Sequence, residues 1–441
     1  MPRSARVGSL YQAVLQQVEE QLRTQGYPQP LCKRFALLVT GLTAGAPATV
    51  SGLSQTLHAL TLTPVQEESV ARRVLRLLED PRLDPTRLLP ALFGPLLPHL
   101  LAGVLAAHAI NEQTTSAAHH ARFGRLRVVV DESSQEDAVH LLVVGLWYQG
   151  LVLPLAVRVW AQNTVLGEDD WWSALGSCLW EVHRLLPPAL RAHVLLLADR
   201  GYGHPRFIDL AAALDWAWVV RLSGQVRVHL PDGTIRPLRT LVPGPGTVWG
   251  VDTTLPTPDG PDPDAPLAVF KHAGWRRAQV VAVWLDGQEA PWLLLTNLPA
   301  RVARLAEYAQ RWAIERLFLS WKSHGWNLEA GRVRDVARVG RLVSGLVLAT
   351  WWRVAIALPE AARHLAHLAG RPARPYQLRL PFAPQGDRRP WAAKCSLLTW
   401  GARVVAQRDC RWDCPLPDWS FPDWDAPTWS LRCQTAYHPV T

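Results

Sequence analysis

The chain has 441 residues, 49% of them hydrophobic, which is enough for two or three domains with a sizeable core. Its 46 lysines and arginines outnumber 37 aspartates and glutamates, and the net charge of +9 favours a polyanionic partner without selecting DNA, RNA or a membrane surface. The first residues lack an apolar core of signal-peptide length, so we expect a cytoplasmic protein. Its six cysteines should then be reduced, and the last four lack the paired CxxC spacing of a zinc site.

The N-terminal region, residues 1–120, has the apolar periodicity of helices. Two short helical patterns, at 53–60 and 65–78, are joined by a tight turn. Such a pair is compatible with a helix-turn-helix that docks on DNA, and ordinary core helices look the same. The region is therefore predicted to be helical, with DNA binding as one of two open interpretations.

One apolar stretch in this region, residues 88–110, contains no Asp, Glu, Lys or Arg and is long enough to span a bilayer. Three prolines fall in its first half, at Pro90, Pro95 and Pro98. Proline in a helix interior removes a hydrogen bond and clashes with the preceding turn. The stretch therefore predicts a buried helix that begins near Pro98 rather than a membrane span.

Strand patterns begin at residue 126 with the runs LRVVVD, VHLLVVGLWY and LVLPLAVRVW. The dipeptide Gln149-Gly150 is a turn signal between the second and third runs, so the three predict an antiparallel meander. A helical stretch at 171–186, the apolar run HVLLLAD, a further helix and the strand WAWVV follow. Three meander strands followed by alternating helix and strand is the order of a ribonuclease H-like α/β domain.

This order predicts an α/β protein in four parts. A ribonuclease H-like catalytic core would comprise residues 121–222 and 299–335, preceded by the helical region 1–120. Residues 223–298 are strand-like and rich in Gly, Pro and Asp, which predicts a β-rich insertion in the core. Residues 336–441 would form a helical C-terminal extension and a Pro- and Trp-rich tail without strand or helix period.

Four residues near the middle of the chain share one stripe of a predicted helix: Tyr308, Arg311, Glu315 and Lys322. Residues 301–322 contain no Gly or Pro, and the opposite surface carries apolar side chains, so an amphipathic helix is expected. A carboxylate that binds a hard metal ion and two cations that bind phosphates suit a phosphodiester. A solvated charged face is the alternative, but the chain has only four lysines, which makes a lysine at this point less incidental.

Two aspartates follow strands that this topology makes neighbours: Asp131 ends the first strand and Asp199 ends the buried fourth. Singly, such residues are often helix caps or loop residues. With Glu315 on a helix packed across the sheet, three carboxylates would converge, and a pair of divalent ions would relieve their repulsion and support in-line displacement at phosphorus. Glu132 points to the other face of its strand and is the weaker ligand candidate.

The run YAQRWAIERLFLSWK resembles the Tyr-Arg-Glu-Lys signature of the bacterial DDE transposases of the cut-and-paste insertion-sequence group, at all four positions and spacings. The resemblance extends over about residues 126–335, and it makes Asp131 in VVVDESS and Asp199 in LLLADRGYG the first and second acidic residues. It implies two Mg²⁺ or Mn²⁺ ions on these residues and Glu315, and DNA contacts from Tyr308, Arg311 and Lys322. Trp292, in WLLLTNLP, matches the aromatic residue that stacks on a flipped nucleotide. Relatives often carry more acidic residues after the second aspartate, where this chain has Arg-Gly-Tyr-Gly.

The expected function is that of a DNA transposase that cleaves its element's inverted ends and joins the 3′ hydroxyl to target DNA. The resemblance implies a hairpin intermediate, double-stranded DNA as partner and a homodimer in the synaptic complex, with no membrane partner. Two alternatives stay open: a transposon-derived protein that binds DNA without cutting it, and a ribonuclease H-like nuclease without strand transfer.

Overall fold

The computed structural model describes residues 3–59, 66–102, 125–135, 139–162, 164, 166–230, 232–250, 267–270, 274–301, 303–331, 333–369 and 397–407. These ranges form a mixed α/β structure with a mixed sheet, consistent with a ribonuclease H-like fold. Several predicted features lie outside them: part of the region expected as a β insertion, residues 251–266, most of the Pro- and Trp-rich tail, and the last four cysteines.

The described N-terminal residues are helical. The helices are α1 (Arg3–Leu22), α2 (Gln29–Thr43), α3 (Val50–Ala59), α4 (Glu67–Glu79) and α5 (Pro85–Leu100). The two helices predicted near 53–60 and 65–78 correspond to α3 and α4, which pack against each other, while the turn between them, 60–65, lies outside the described residues. Docking of this pair on DNA stays a prediction.

The predicted burial of the stretch 88–110 is confirmed for residues 88–100, but its expected start near Pro98 is wrong, and residues 103–110 lie outside the described residues. Helix α5 instead begins at Pro85, runs through all three internal prolines and ends at Leu100. Asp84 caps it by accepting a hydrogen bond from the Thr86 N–H at 2.8 Å. Each internal proline costs about 3 kcal/mol, but burial of one leucine contributes about 1.5–3 kcal/mol. Seven buried side chains hold this helix, so packing outweighs proline: Leu88, Leu89, Leu92, Phe93, Leu96, Leu97 and Leu100.

The predicted antiparallel meander is confirmed. It consists of β1 (Leu126–Gln135), β2 (Val139–Tyr148) and β3 (Leu151–Ala161), with β2 paired antiparallel to both others. Gln149 and Gly150 have φ of 45° and 83°, the left-handed pair that a tight type I′ hairpin requires. The meander thus closes through the turn that the dipeptide indicates.

Two parallel strands extend the meander: β4 (Val194–Ala198) and β5 (Ala217–Arg221). Strand β4 lies beside β1, with Val130 opposite Ala198, and β5 lies beside β4. The helices that connect these strands are α6 (Glu168–Leu185), α7 (Pro188–Arg191) and α8 (Pro205–Ala213). All five residues of β4 are buried, as its uninterrupted apolar run predicts.

The strands expected as an insertion continue the same sheet. They are β6 (Arg227–His229), β7 (Ile235–Pro237), β8 (Val248–Trp249), β9 (Leu267–Val269), β10 (Arg276–Val283) and β11 (Trp292–Thr296). Strand β11 pairs antiparallel with β5, through Leu295 and Val220 among others. The order is β3-β2-β1-β4-β5-β11-β10-β9-β6-β7, with β8 on β10, so the last strand of the predicted insertion joins the edge of the predicted core.

The predicted amphipathic helix over 301–322 is wrong as a single element. The segment forms α9 (Ala303–Ala309), a 3₁₀ turn (Gln310–Trp312), α10 (Ala313–Leu319) and a π turn (Ser320–His324). The stripe is divided between core and surface: Tyr308 and Arg311 are buried, whereas the Glu315 and Lys322 side chains are 44% and 23% exposed. Packing on the sheet buries more than one side of this segment.

The C-terminal helices are α11 (Val336–Ala369) and α12 (Leu397–Gln407). Length and composition would allow Val336–Leu358 to cross a membrane, but 89% of its apolar window is buried inside the protein, as in a core helix. The Trp351 indole N–H donates to the Pro154 carbonyl at 2.7 Å, which joins α11 to β3.

Candidate active site

The guanidinium of Arg311 is the centre of a cluster of three carboxylates. Its Nη1 donates to Asp131 Oδ2 at 2.9 Å and its Nη2 donates to Glu315 Oε1 at 2.9 Å. Asp199 Oδ1 lies 4.0 Å from Nη2. The structure therefore brings together the three acids named from the sequence, and a buried cation stands among them.

Sheet topology and helix geometry place these groups. Asp131 and Asp199 each follow the paired residues Val130 and Ala198 of neighbouring parallel strands, so they lie side by side. Asp131 does not end its strand as predicted, because β1 continues to Gln135 through its pairing with β2. Glu315 stands four residues after Arg311, where successive helical turns bring side chains into contact. The site is thus assembled from β1, the end of β4 and the segment from α9 to α10.

Tyr308 supports the cluster from one turn earlier. Its hydroxyl donates to Asp199 Oδ1 at 3.1 Å, and its ring lies under the Arg311 guanidinium at 5.8 Å. A second ring, that of Trp312, lies 5.2 Å from the same guanidinium. Each ring can stabilise the cation through its π-face.

Burial governs the electrostatics of the cluster. It raises the pKa of Asp131 to about 6, against the effect of Arg311 and with help from Asp199 and Glu315. Burial also raises the pKa of Tyr308, so the phenol keeps its proton and can donate to Asp199. Burial disfavours the charge of Arg311, but Tyr308 and the neighbouring carboxylates together raise the pKa of this guanidinium. Crowded carboxylates thus hold Arg311 firmly in its charged form.

The Nε of Arg311 is buried and has no hydrogen-bond partner among the described residues. The guanidinium itself is only 3% exposed, so a donor left without an acceptor here carries a free-energy cost. An incoming oxygen anion, such as a phosphate, is the kind of acceptor that this N–H and its neighbours fit.

Two residues predicted for DNA contact lie in different surroundings. Lys322 is in the π turn and pairs with Glu329, its Nζ 3.0 Å from Oε1. Trp292 is only 5% exposed, and its ring meets the Tyr308 ring edge-on at 5.5 Å between centroids. A base could stack on Trp292 only if this ring left its present contact, so its stacking role stays a prediction.

Glu132, the weaker ligand candidate, has partners that the sequence analysis did not single out, Trp171 and His140. Glu132 accepts a hydrogen bond from the Trp171 indole N–H at 3.0 Å and pairs with His140 Nδ1 at 2.6 Å. Strand alternation was the available signal, because it puts Glu132 and His140 on the same face of β1 and β2.

Tyr202 is the other missed neighbour, and it belongs to the Arg-Gly-Tyr-Gly run after Asp199. Its buried hydroxyl has no hydrogen-bond partner among the described residues. Burial raises the pKa of Tyr202, and the charges of Asp131, Glu132 and Asp199 raise it further. The phenol therefore keeps its proton, and its hydroxyl is a neutral donor.

A divalent metal fits the chemistry of the acids, since three carboxylates supply the hard oxygen ligands that Mg²⁺ and Mn²⁺ prefer. Within the described ranges, however, no three His, Cys, Asp or Glu side chains form a group that could hold an ion. The physical reason at this site is Arg311, which takes up carboxylate oxygens of Asp131 and Glu315. Metal binding by Asp131, Asp199 and Glu315 therefore stays a prediction.

A separate cleft of about 1030 Å³ lies beside the candidate helix-turn-helix. Residues of α3, α4 and the segment 330–338 line it, and its charges are of both signs: Glu67, Glu68, Arg334, Asp335 and Arg338. It shares no residue with the carboxylate cluster. Its mixed charge gives no clear electrostatic footprint for a polyanion.

A family model for the transposase DDE domain matches residues 177–352. The match begins after Asp131 and includes Asp199, Trp292 and the stripe from Tyr308 to Lys322. It covers less than half of the chain. Among curated proteins, none matches this sequence.

The family match supports a DDE transposase family for this chain, and with it transposase function in general. Members of such a family act on DNA and typically use divalent metal. The match by itself does not identify the hairpin-forming type, the number of ions or the residues that hold them.

Proposed function

We propose that this protein is a metal-dependent DNA transposase that cleaves the inverted ends of its element and joins the freed 3′ hydroxyl to target DNA. The observation that carries the proposal is the convergence of Asp131, Asp199 and Glu315 on Arg311. The family match over 177–352 supports the same chemistry.

Asp131, Asp199 and Glu315 would hold two Mg²⁺ or Mn²⁺ ions. When bound, such a pair activates a water or sugar hydroxyl and stabilises the leaving oxygen at phosphorus. Tyr308 keeps Asp199 oriented through its 3.1 Å hydrogen bond. Arg311 is suited to a phosphate of the scissile strand, because its fork presents several N–H donors in one plane. Lys322 would meet another phosphate as a point charge.

The partners we propose are the double-stranded inverted ends and the target DNA, bound by a homodimer in the synaptic complex, with no membrane partner. The net charge of +9 supports a polyanionic partner. We further propose a cytoplasmic location, with association to the nucleoid when the protein is bound to DNA.

The test uses end duplexes whose sequence comes from terminal inverted repeats in the DNA that flanks the gene. Labelled duplexes are incubated with the protein, Mg²⁺ and a target plasmid, and products are resolved by strand. Nicked and joined products are expected. Nicking without joining would indicate the nuclease alternative, whereas binding without nicking would indicate the DNA-binding alternative.

A hairpin intermediate is part of the proposal, with Trp292 covering an extruded base. Loss of that stacking, worth about 1–3 kcal/mol, should slow the hairpin step by about 5- to 150-fold while nicking is less affected. Because Trp292 is buried, Trp292→Ala also costs about 3–5 kcal/mol of stability, so Trp292→Phe is the matched variant that keeps the core filled. An abasic nucleotide at the flipped position should partly rescue Trp292→Ala. Equal loss of both steps without rescue would mean a packing role only.

A further inference from the structure

Arg311 has more contacts with protein acids than a residue reserved for DNA requires. It is 3% exposed, bonds to two carboxylates at 2.9 Å and lies 4.0 Å from a third. These three carboxylates are the groups that would hold metal under the proposed function. Arg311 therefore lies where positive charge is needed when no metal is bound.

The guanidinium and a divalent ion would compete for the oxygens of these carboxylates. Asp131 Oδ2 and Glu315 Oε1 each accept a charge-assisted hydrogen bond from Arg311, which leaves fewer lone pairs for coordination. A doubly charged ion placed between these carboxylates would also stand within a few ångströms of the guanidinium, and like charges repel strongly in a buried site.

The present surroundings of Arg311 could still support its positive charge if a carboxylate were withdrawn. Its Nε has no partner among the described residues, and two aromatic rings, of Tyr308 and Trp312, flank the guanidinium at 5.8 and 5.2 Å. The rings can hold the cation when a carboxylate is withdrawn. A DNA phosphate offers the paired oxygen acceptors that the fork prefers.

We propose that Arg311 is a resident counter-cation that competes with divalent metal for Asp131 and Glu315 until a DNA phosphate draws it away. Metal and DNA then bind with positive coupling, and the carboxylates stay neutralised before DNA arrives. This inference rests on the proposed function, since it takes those acids as the metal ligands. Arg311 is thereby a positioning residue as well as a phosphate contact.

The first experiment measures Mn²⁺ binding to the full chain by titration calorimetry without DNA. Arg311→Gln should bind Mn²⁺ more tightly than the wild type, by about 5- to 150-fold if the coupling is of ordinary size. Arg311→Lys, which keeps the charge but not the fork, should lie between them. Arg158→Gln is the matched control, because it removes another guanidinium bonded to a buried carboxylate, Glu181, at 2.8 Å.

The gain must come from these acids, so adding Asp131→Asn to Arg311→Gln should remove it. Equal or weaker Mn²⁺ binding by both Arg311 variants would overturn the inference. Should Arg311→Gln fail to fold, Arg311→Lys decides alone: a tighter Mn²⁺ affinity supports the competition, and an unchanged one overturns it.

The second experiment adds a short duplex of unrelated sequence to the wild type and repeats the Mn²⁺ titration against a duplex-only blank. Duplex should tighten Mn²⁺ binding to the wild type and have little effect on Arg311→Gln; identical responses would overturn the coupling. Neither measurement depends on cleavage. If the variants bind Mn²⁺ as expected but no end duplex is cut, the proposed transposase activity is wrong and the competition between Arg311 and metal is supported. If end duplexes are cut but the Arg311 variants bind Mn²⁺ like the wild type, only the competition is wrong.

Discussion

Two buried arginines, Arg311 and Arg353, have opposite surroundings. Both are nearly sealed from solvent, at 3% and 4% exposure. Arg311 is surrounded by carboxylates, whereas Arg353 donates to the Leu42 and Thr43 carbonyl oxygens at 2.9 and 3.3 Å and lies 3.9 Å over the Trp326 ring. Neighbouring negative charge raises the pKa of Arg311, and burial lowers the pKa of Arg353 to about 9.

The difference separates a structural arginine from a functional one. Arg353 joins α11 to the C-terminal end of α2, where unsatisfied carbonyls carry partial negative charge. The two N–H groups that Arg353 donates in this contact both bind backbone carbonyls and so stabilise the fold. Arg311 instead neutralises acids that are costly to bury together, and such an arrangement is typical of a site that waits for a ligand. Burial alone would not distinguish them; the charge of their partners does.

The largest effect should follow from removing the acids around Arg311. We expect Asp131→Asn, Asp199→Asn and Glu315→Gln each to reduce end cleavage by about 10²- to 10⁴-fold, since metal ligation supplies several kcal/mol of transition-state stabilisation. Glu79→Gln is a matched control for Glu315→Gln, as both carboxylates are about half exposed and bonded to an arginine. Cleavage by a folded Glu315→Gln protein at the wild-type rate would remove Glu315 from the site.

Removing Arg353 should damage the fold and leave the chemistry intact. Arg353→Ala removes the arginine donor of the Thr43 carbonyl and opens a cavity over Trp326, while the Leu42 carbonyl keeps the Trp326 indole N–H as a donor. We expect the loss to lower the free energy of unfolding by about 2–4 kcal/mol. Urea unfolding measures this loss, and cleavage per folded molecule should stay near the wild-type rate. Arg338→Ala, at an exposed pair with Glu79, should cost less than about 1 kcal/mol. If folded Arg353→Ala did not cleave DNA, Arg353 would also be needed for the reaction and would not be a purely structural arginine.

Local patterns predict part of this architecture well. Strand alternation and the Gln149-Gly150 turn predict the meander, and the uninterrupted apolar run ending at Ala198 predicts a buried parallel strand beside β1. Helical spacing puts Arg311 and Glu315 in contact. These features depend on periods of two and 3.6 residues, which the sequence carries directly.

Long-range packing decides the rest. Nothing local indicates that α5 continues through three prolines, that β11 pairs with β5 or that Lys322 pairs with Glu329. The stripe also predicts one continuous amphipathic helix, whereas the segment breaks into shorter helical turns and buries Tyr308 and Arg311. A charged residue on a helical stripe does not reveal whether its partner is solvent, a phosphate or another side chain.

The contrast in charge also predicts a pH dependence of the metal-free protein. Burial raises the pKa of Asp131 from 3.8 to about 6. At pH values between these two, the folded state therefore still holds a proton that the unfolded state has released. The stabilisation that this proton gives the folded state is complete below pH 3.8 and is lost as pH rises through about 6. The free energy of unfolding falls by about 2–3 kcal/mol in all.

Urea unfolding in EDTA between pH 4 and 7 measures this loss. The free energy of unfolding of Asp131→Asn should lack this component, whereas Arg353→Ala should keep the wild-type slope from a lower starting value. Parallel curves for the wild type and Asp131→Asn would show that Asp131 titrates alike in both states.

The smallest effect on stability should come from Lys322, the least buried cation of the predicted stripe. Its side chain is 23% exposed and its partner Glu329 is 29% exposed, so their pair contributes less than about 1 kcal/mol, and Lys322→Ala should unfold at nearly the wild-type urea concentration. If Lys322 nevertheless meets a phosphate, the variant should bind duplex DNA more weakly, and the slope of log affinity against log salt should fall by about 0.9. Lys33→Ala, at another exposed lysine, is the control, and Glu329→Gln should bind DNA at least as tightly as the wild type because it releases Lys322. An unchanged salt slope in Lys322→Ala would leave Lys322 with a surface ion pair alone, and Arg311 would then be the stripe's one cation at the site.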